Sequence, residues 1–304
     1  MDIALFGGTG FVGGYLVDAL LAAGYRPSVL VRPGSIGKLR EASRCRVTAG
    51  DLGDVAAVRA VADGCAAVIY DVGLLREFPR RGVTFENAHY RGVVTVSSAA
   101  KTAGVDRFLL MSANGVRSGG TPYQDSKWRA ERHIAGEGLK FTIFRPSVIF
   151  GDPRGTMEIA TQLYRDLVRP PLPAVGFRTG LTGAVLMSPA YAGDVADAFV
   201  AALADPQTIG RTFTLGGPET LSWTEMLLRV AAAAGHRKWV VPMPIGVMKF
   251  AATLFDRLPF FPVTRDQLTM LAEGNVAAPA ELRSLIGREP AAFDAGNLRY
   301  LSGS

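Results

Sequence analysis

The chain has 304 residues, 48% of them hydrophobic and 20% charged, which is enough apolar material to bury a large core in one or two domains. Lys+Arg 33 against Asp+Glu 27 leaves a formal charge of +6, spread along the chain without basic–aromatic interleaving, so nucleic acid is not an expected partner. Two cysteines and three widely separated histidines, His89, His133 and His236, supply neither a disulfide framework nor a metal-type cluster; a reducing, cytoplasmic compartment and no metal are expected.

The first thirteen residues, MDIALFGGTGFVG, carry the strongest signal in the chain. Ile3 to Phe6 is a short apolar run that reads as a buried strand. It runs straight into Gly7, Gly8, Gly10 and Gly13, then into a helical pattern of Phe11, Val12, Tyr15, Leu16, Ala19, Leu20 and Ala23, with Gly24 as its C-cap. A strand, a glycine turn and a helix N-terminus in that order bind a pyrophosphate. The glycines let the backbone approach closely, and the helix end offers unpaired N–H groups and partial positive charge. The short apolar start is unlike a secretory signal, and no run of about 18 uncharged apolar residues is present to cross a membrane.

Ser28 to Val31 predicts the second strand. A nucleotide-binding unit for NAD has an acid at this strand end to hold the ribose 2′-hydroxyl. Here the end is Arg32, followed by Lys38 and Arg40, which favours the 2′-phosphate of NADP over NAD; a solvated basic loop is the plainer alternative. Cys45 to Ala49 predicts strand three, delivering Gly50-Asp51-Leu52, where Asp51 is placed to meet the adenine amino group. Asp54 to Ala62 predicts a helix and Ala67 to Tyr70 a fourth strand, after which Asp71-Val72-Gly73 sit where a cofactor would cross the strand ends. Glu86 to Ala103 predicts one long helix stopped by Gly104, and Phe108 to Met111 strand five, ending at Ser112. Strand and helix alternate with few hairpin signals, so the expected fold class is α/β, a Rossmann-type doubly wound parallel sheet with a smaller C-terminal substrate-binding part.

Tyr123 and Lys127 form the only Tyr-x-x-x-Lys in the chain and share one face at the start of a helix. An ammonium beside a phenol is expected to lower its pKa, so Tyr123 can exchange a proton while Lys127 also reaches a nicotinamide ribose. Ser112 is the candidate third catalytic residue, with Asn114 behind it; an ordinary surface helix turn is the alternative. Lys140 to Arg145 predicts strand six. Pro146, Val148 and Gly151 follow it toward the nicotinamide end. Prolines then gather at 153, 170, 171 and 173 and mark a less regular part. The expected division is residues 1–150 for the dinucleotide, with 185–215 returning to it, and 151–304 mainly for substrate or partner. Asp194 near a helix start, a strand at Phe213 to Leu215, and capping boxes at Ser222/Glu225 and Thr264/Gln267 punctuate the second half. Ile245 to Leu258 is apolar with Lys249 and Arg257, suited to the core or to a membrane or partner surface. No pattern emerges after Asn275.

GGTGFVG, the Gly50-Asp-Leu52 triplet, Tyr123-x-x-x-Lys127 and RPSVIFG together resemble the extended and atypical short-chain dehydrogenase/reductases, over residues 1 to about 215. RPSVIFGDP, YAGDV at Tyr191–Val195, LGGPETLSWTEML and PVTRDQLTML are similar to bacterial relatives of the nucleotide-binding accessory subunit of respiratory complex I. The resemblance implies NADP held by Gly7, Thr9, Gly10, Phe11, Val12 and Gly13 at the pyrophosphate. Arg32 and Lys38 would face the 2′-phosphate and Asp51 and Leu52 the adenine. Val72, Gly73, Lys127, Pro146 and Val148 would lie at the nicotinamide end. Sugar-nucleotide members of the family carry a Ser or Thr just beyond Ser112, where this chain has Ala113, and its Ser112–Tyr123 interval is short. Two functions remain open: an oxidoreductase acting on an apolar carbonyl or quinone-like small molecule, and a non-catalytic NADP-binding accessory, assembly or sensor protein associated peripherally with a membrane, with complex I or with ubiquinone synthesis.

Overall fold

A computed structural model describes residues 1–180, 182–248 and 265–303. The chain divides into two compact units, 1–146 with 192–214 and 284–287, and 147–191 with 215–283 and 288–304.

The first unit carries a seven-stranded sheet whose strands alternate with helices except between the second and third. In chain order it begins β1 (Asp2–Phe6), α1 (Phe11–Ala22), β2 (Arg26–Val31), β3 (Arg46–Ala49), α2 (Val55–Ala62) and β4 (Ala67–Tyr70). It continues with α3 (Gly92–Thr102), β5 (Arg107–Met111), α4 (Pro122–Gly136) and β6 (Lys140–Pro146). The spatial order is β3-β2-β1-β4-β5-β6, with the late strand Arg211–Leu215 beside β6. The β1–β2, β2–β3, β1–β4, β4–β5 and β5–β6 pairings are all parallel. Every residue of β4 and β5 is buried, as expected for strands covered on both faces. One face packs Ala4, Phe6, Val68, Tyr70, Phe108 and Leu110 against Val58 and Val61 of α2, Val93 and Val96 of α3 and Ile134 of α4. On the other face α1 packs with the helix Ala192–Ala204.

The reversal of strand order between β1 and β4 positions the candidate site. The register Phe6↔Tyr70 and Tyr70↔Leu110 aligns the carboxyl ends of β1, β4 and β5. Gly7, Asp71 and Ser112, the residues that leave these strands, therefore share one edge. Asp71 N–H donates to the Phe6 carbonyl (2.8 Å), and Ser112 N–H to the Phe144 carbonyl (2.7 Å). Ligands of open α/β sheets bind at this edge, where the strand order reverses.

The expected helix over 86–103 is two segments. Glu86–Arg91 is a π-turn and only Gly92–Thr102 is α-helical. The wider turn has a visible cause. The Tyr70 hydroxyl reaches in and donates to the Ala88 carbonyl (2.5 Å), and a side chain at Gly92 would collide with that hydroxyl.

The second unit has its own core, in which Phe150, Leu163, Phe177, Trp223, Met226, Phe293 and Leu298 are buried together. Two elements there carry no signal in the sequence. Ala174–Thr179 and Val240–Pro244 are parallel strands, although prolines crowd the approach to the first and interrupt the second. Val240–Pro244 is an edge strand, which is where proline is tolerated. The capping box at Ser222 and Glu225 opens the helix Trp223–Ala233. The tail after Asn275 is not patternless: it holds the helix Ala280–Ile286 and a 3₁₀ turn at Arg299–Gly303. Thr264 and most of Ile245–Leu258 lie outside the described residues, while Gln267 falls in the helix Arg265–Glu273. Among the described residues no helix is long and apolar enough to cross a membrane.

Candidate functional site

The glycine turn is held by backbone contacts that leave no room for side chains. Gly7 has φ +109°, and a Cβ there would sit 2.5 Å from the Asp71 carbonyl oxygen. A Cβ at Gly13 would come within 2.8 Å of both the Gly7 carbonyl carbon and the Gly8 Cα. Gly10 N–H donates to the Gly7 carbonyl (2.8 Å) and closes the turn. Gly10 is then the N-cap of α1 in extended conformation, and no side chain caps the helix. Its first turn carries no acidic residue. Phe11 and Val12, partly exposed, begin that turn, with Thr9 just before it. An uncapped helix N-terminus opening from a turn this tight fits the diphosphate of a dinucleotide.

Of the other expected cofactor residues, all but Val148 belong to the first unit. Arg32 is exposed immediately after β2, and Lys38 is exposed at the end of a short 3₁₀ turn. Arg40 pairs with Asp18 of α1 at 3.3 Å. Asp51 accepts the Gly53 N–H (2.7 Å) through Oδ1, so its carboxylate is oriented by its own turn. Leu52 and Val72 pack at the margin of the core, and Gly73 is exposed. Pro146 is buried at the end of β6, and Asn114 N–H donates to its carbonyl (2.9 Å). Val148 belongs to the second unit and packs against that unit's core.

β4, β5, the π-turn and α4 bring Ser112, Lys127 and His89 to one pocket, whose lining does not include Tyr123. Thr121 and Gln124 form a complete capping box with Pro122 at the first helical position, which fixes the start of α4. Lys127, one turn later, is buried and donates to the Met111 carbonyl (3.1 Å), the residue before Ser112. Ser112, Lys127, His89, Tyr70, Val72 and Met111 line one small pocket. The Ser112 hydroxyl is 4% exposed and has no hydrogen-bond partner among the described residues. A buried hydroxyl without a partner is costly, so such a group takes a bound water, an ion or a ligand as its partner.

Burial dominates the electrostatics. The Lys127 ammonium is pulled down to about 8 by desolvation, against the opposing pull of Asp71 and Glu131. Desolvation also pushes the Asp71 carboxyl up to about 8, with Lys127 opposing. For Tyr123 the effect runs against the sequence expectation: its phenol is raised above the ordinary tyrosine value by desolvation. The reason is geometric. Lys127 Nζ lies 5.8 Å from the Tyr123 ring centroid and donates its hydrogen bond to the Met111 carbonyl instead. In the chain by itself Tyr123 is therefore a phenol that keeps its proton.

His89 has no counterpart among the residues expected from the sequence, where the histidines figure only as a failed metal set. It is 1% exposed, lines the same pocket, and sits in the π-turn. Its ring lies edge-on to Tyr123, with centroids 5.1 Å apart. Nothing in the local pattern signals this, because the contact spans two helices and depends on a turn of unusual width.

A sequence model of the NAD(P)H-binding family matches residues 7–167, more than half of the chain. Subunit 9 of the NADH dehydrogenase (ubiquinone) 1 alpha subcomplex from Mus musculus mitochondria is 28% identical, over 98% of this chain and 78% of that protein. The ceramide reductase of Caulobacter vibrioides is also 28% identical, over 84% of this chain and 77% of that one. The crystal structure of gox2253 superposes with a TM-score of 0.77 at 22% identity, covering 100% of this chain and 97% of the other. UDP-glucuronic acid 4-epimerase of Bacillus cereus, solved with UDP-glucuronic acid and NAD, gives 0.72 at 18% identity, covering 100% and 98%. At those identities the two structures speak to the fold alone. The sequence match, with the glycine turn and the strand order beside it, shows that the chain belongs to the NAD(P)H-binding family.

Proposed function

We propose that the protein is an NADP(H)-dependent reductase of an apolar carbonyl or quinone-like small molecule. The observation that carries this is the buried, unpartnered Ser112 hydroxyl beside Lys127, on the same strand edge as the glycine turn. When bound, NADPH supplies a hydride. Gly7, Gly10 and Gly13, with Thr9, Phe11 and Val12, would hold its diphosphate; Arg32 and Lys38 would meet the 2′-phosphate, and Asp51 and Leu52 the adenine. Ser112 donates its proton in a hydrogen bond to the substrate oxygen and polarises it. Tyr123, kept protonated by burial, gives its proton to that oxygen as negative charge develops there. Lys127 holds positive charge nearby and restrains the nicotinamide ribose beside Val72, Gly73 and Pro146. The ceramide reductase relative supports the reductase class.

The test is turnover of NADPH against quinones and enones by wild type, Tyr123→Phe and Ser112→Ala. The proposal expects turnover to fall at least about 100-fold in Tyr123→Phe with NADPH affinity kept. Intact turnover in that variant would overturn the mechanism. Arg32→Asp is expected to weaken NADPH at least about tenfold and leave NADH unchanged. A second reading, a nucleotide-bound accessory protein docked on complex I, is favoured by the relationship to the mouse subunit. It expects tight NADPH binding, an inert nucleotide and co-purification with the complex.

A further inference from the structure

We propose that His89 is a positioning residue for Tyr123, acting as a neutral imidazole in its Nδ1–H form and joining the loop after β4 to the start of α4. The proposal rests on the reading of Tyr123 as proton donor, and it deepens that reading.

The tautomer is dictated by the partners. Leu74 N–H donates to His89 Nε2 (3.1 Å). A backbone N–H can only donate, so Nε2 must carry a lone pair and the ring proton sits on Nδ1. Nδ1 lies 2.9 Å from Ser126 Oγ and donates to it. Ser126 Oγ in turn donates to the Tyr123 carbonyl (3.0 Å). Three hydrogen bonds of one sense therefore run from Leu74 through His89 and Ser126 to the Tyr123 backbone. Protonating His89 would set two donors face to face at Nε2 and break the chain at its first link.

The rings complete the placement. Phe85 stacks on His89, with centroids 5.3 Å apart and planes 21° apart. Tyr123 stands perpendicular to both, at 88° to Phe85 and 88° to His89, with centroids 5.7 and 5.1 Å away. Edge-to-face contact at these distances is the favoured aromatic geometry. Tyr123 is thus held through its backbone by Ser126 and through its ring by the Phe85–His89 wall. Leu74 comes directly after Asp71-Val72-Gly73, the segment assigned to the nicotinamide end. One imidazole therefore ties the loop expected to meet the cofactor to the residue expected to give the proton. Burial and the nearby Lys127 hold its pKa down to about 2.

The experiment uses the full chain labelled with ¹⁵N-histidine. Three histidines make the assignment direct, by comparing wild type with His133→Gln and His236→Gln. His89 is expected to show the Nδ1–H pattern and no titration between about pH 5 and 9. An Nε2–H pattern, or an ordinary titration, overturns the proposal whether or not a substrate has been found. The second arm is kinetic. His89→Phe keeps a ring against Phe85 and Tyr123 and removes both hydrogen bonds; Ser126→Ala removes the His89–Ser126 and Ser126–Tyr123 links, leaves the Leu74–His89 bond, and serves if His89→Phe does not fold. With the best substrate of the panel, kcat is expected to fall at least about tenfold, with NADPH affinity and substrate KM changed less than about twofold. An unchanged kcat in a folded variant overturns the positioning role. If Tyr123→Phe has no kinetic effect, the proton-donor reading fails instead, and the NMR result stands apart from it.

Discussion

Gly13 and Gly14 are neighbours in the first turns of α1, and the structure assigns them opposite responses to the same substitution. Replacing glycine by alanine inside a helix ordinarily gains about 1 kcal/mol. At Gly14 the new methyl would meet only the Arg40 Cδ at 3.4 Å, an ordinary contact with the far part of a flexible side chain. Gly14→Ala is therefore expected to stabilise by up to about 1 kcal/mol, or roughly 2–4 °C in melting temperature. At Gly13 the methyl would strike both atoms of the Gly7 carbonyl and the Gly8 Cα, all within 2.8 Å. These are backbone atoms of the turn and cannot rotate away. Overpacking of this kind costs about 1–3 kcal/mol, and the rigid neighbours place it at the upper end. Less the helix gain, a net loss of about 2 kcal/mol remains, or roughly 4–8 °C. The turn must also open, so NADPH affinity is expected to fall at least about tenfold in Gly13→Ala and to stay within about twofold in Gly14→Ala. Differential scanning calorimetry and fluorescence titration with NADPH read the two effects. Equal melting temperatures and equal affinities for the two variants would refute the reasoning.

The Asp71 carboxyl, raised to about 8, holds a proton in the folded chain that the unfolded chain has released above about pH 4. Its contribution to stability is thus complete below about pH 4 and is lost as pH rises to about 8. Wild type is expected to lose melting temperature relative to Asp71→Asn across that window; parallel curves would count against it. Lys127, held down to about 8, acts above that window, and stability is expected to rise from about pH 8 to 10 in wild type but not in Lys127→Met. In the second unit, Glu158 caps a helix by accepting the Ala160 N–H (2.7 Å) and the Thr161 N–H, and it also accepts the Tyr300 hydroxyl (3.2 Å). Glu158→Ala is expected to cost about 1–2 kcal/mol, read as a denaturant midpoint shift with the slope unchanged, and Tyr300→Phe less than half of that.

The parts of the fold that were legible in the sequence are those whose cause is local. The run Ile3–Phe6 ending in glycines could only leave a buried strand through a tight turn, with a helix behind it. Alternation of short apolar runs with helical patterns implied the parallel sheet, because parallel neighbours need a crossover. Ser222 and Glu225 form the capping box that their spacing announced, and Thr121 and Gln124 form another with the same local Thr-x-x-Gln spacing. What stayed hidden depends on partners distant in the chain. The π-turn at Glu86–Arg91 exists because Tyr70 reaches it from β4. His89 gains its place from Leu74 and Ser126, and no spacing rule links those three. The strand Val240–Pro244 forms despite its prolines because it needs bonds on one side only. The Tyr–Lys spacing placed both residues on one helix face, yet it could not reveal that Lys127 would turn to the Met111 carbonyl and leave the phenol at a raised pKa.

The most direct test of the proposed reductase is a single-turnover experiment. Protein loaded with one equivalent of NADPH is mixed with each member of a quinone and enone panel, and loss of the reduced nicotinamide absorbance is monitored in wild type and Tyr123→Phe. The account predicts oxidation in wild type with at least one member of the panel, slowed at least about 100-fold in Tyr123→Phe at equal NADPH occupancy. NADPH that binds tightly and stays reduced throughout the panel, in a protein that co-purifies with complex I, would contradict it.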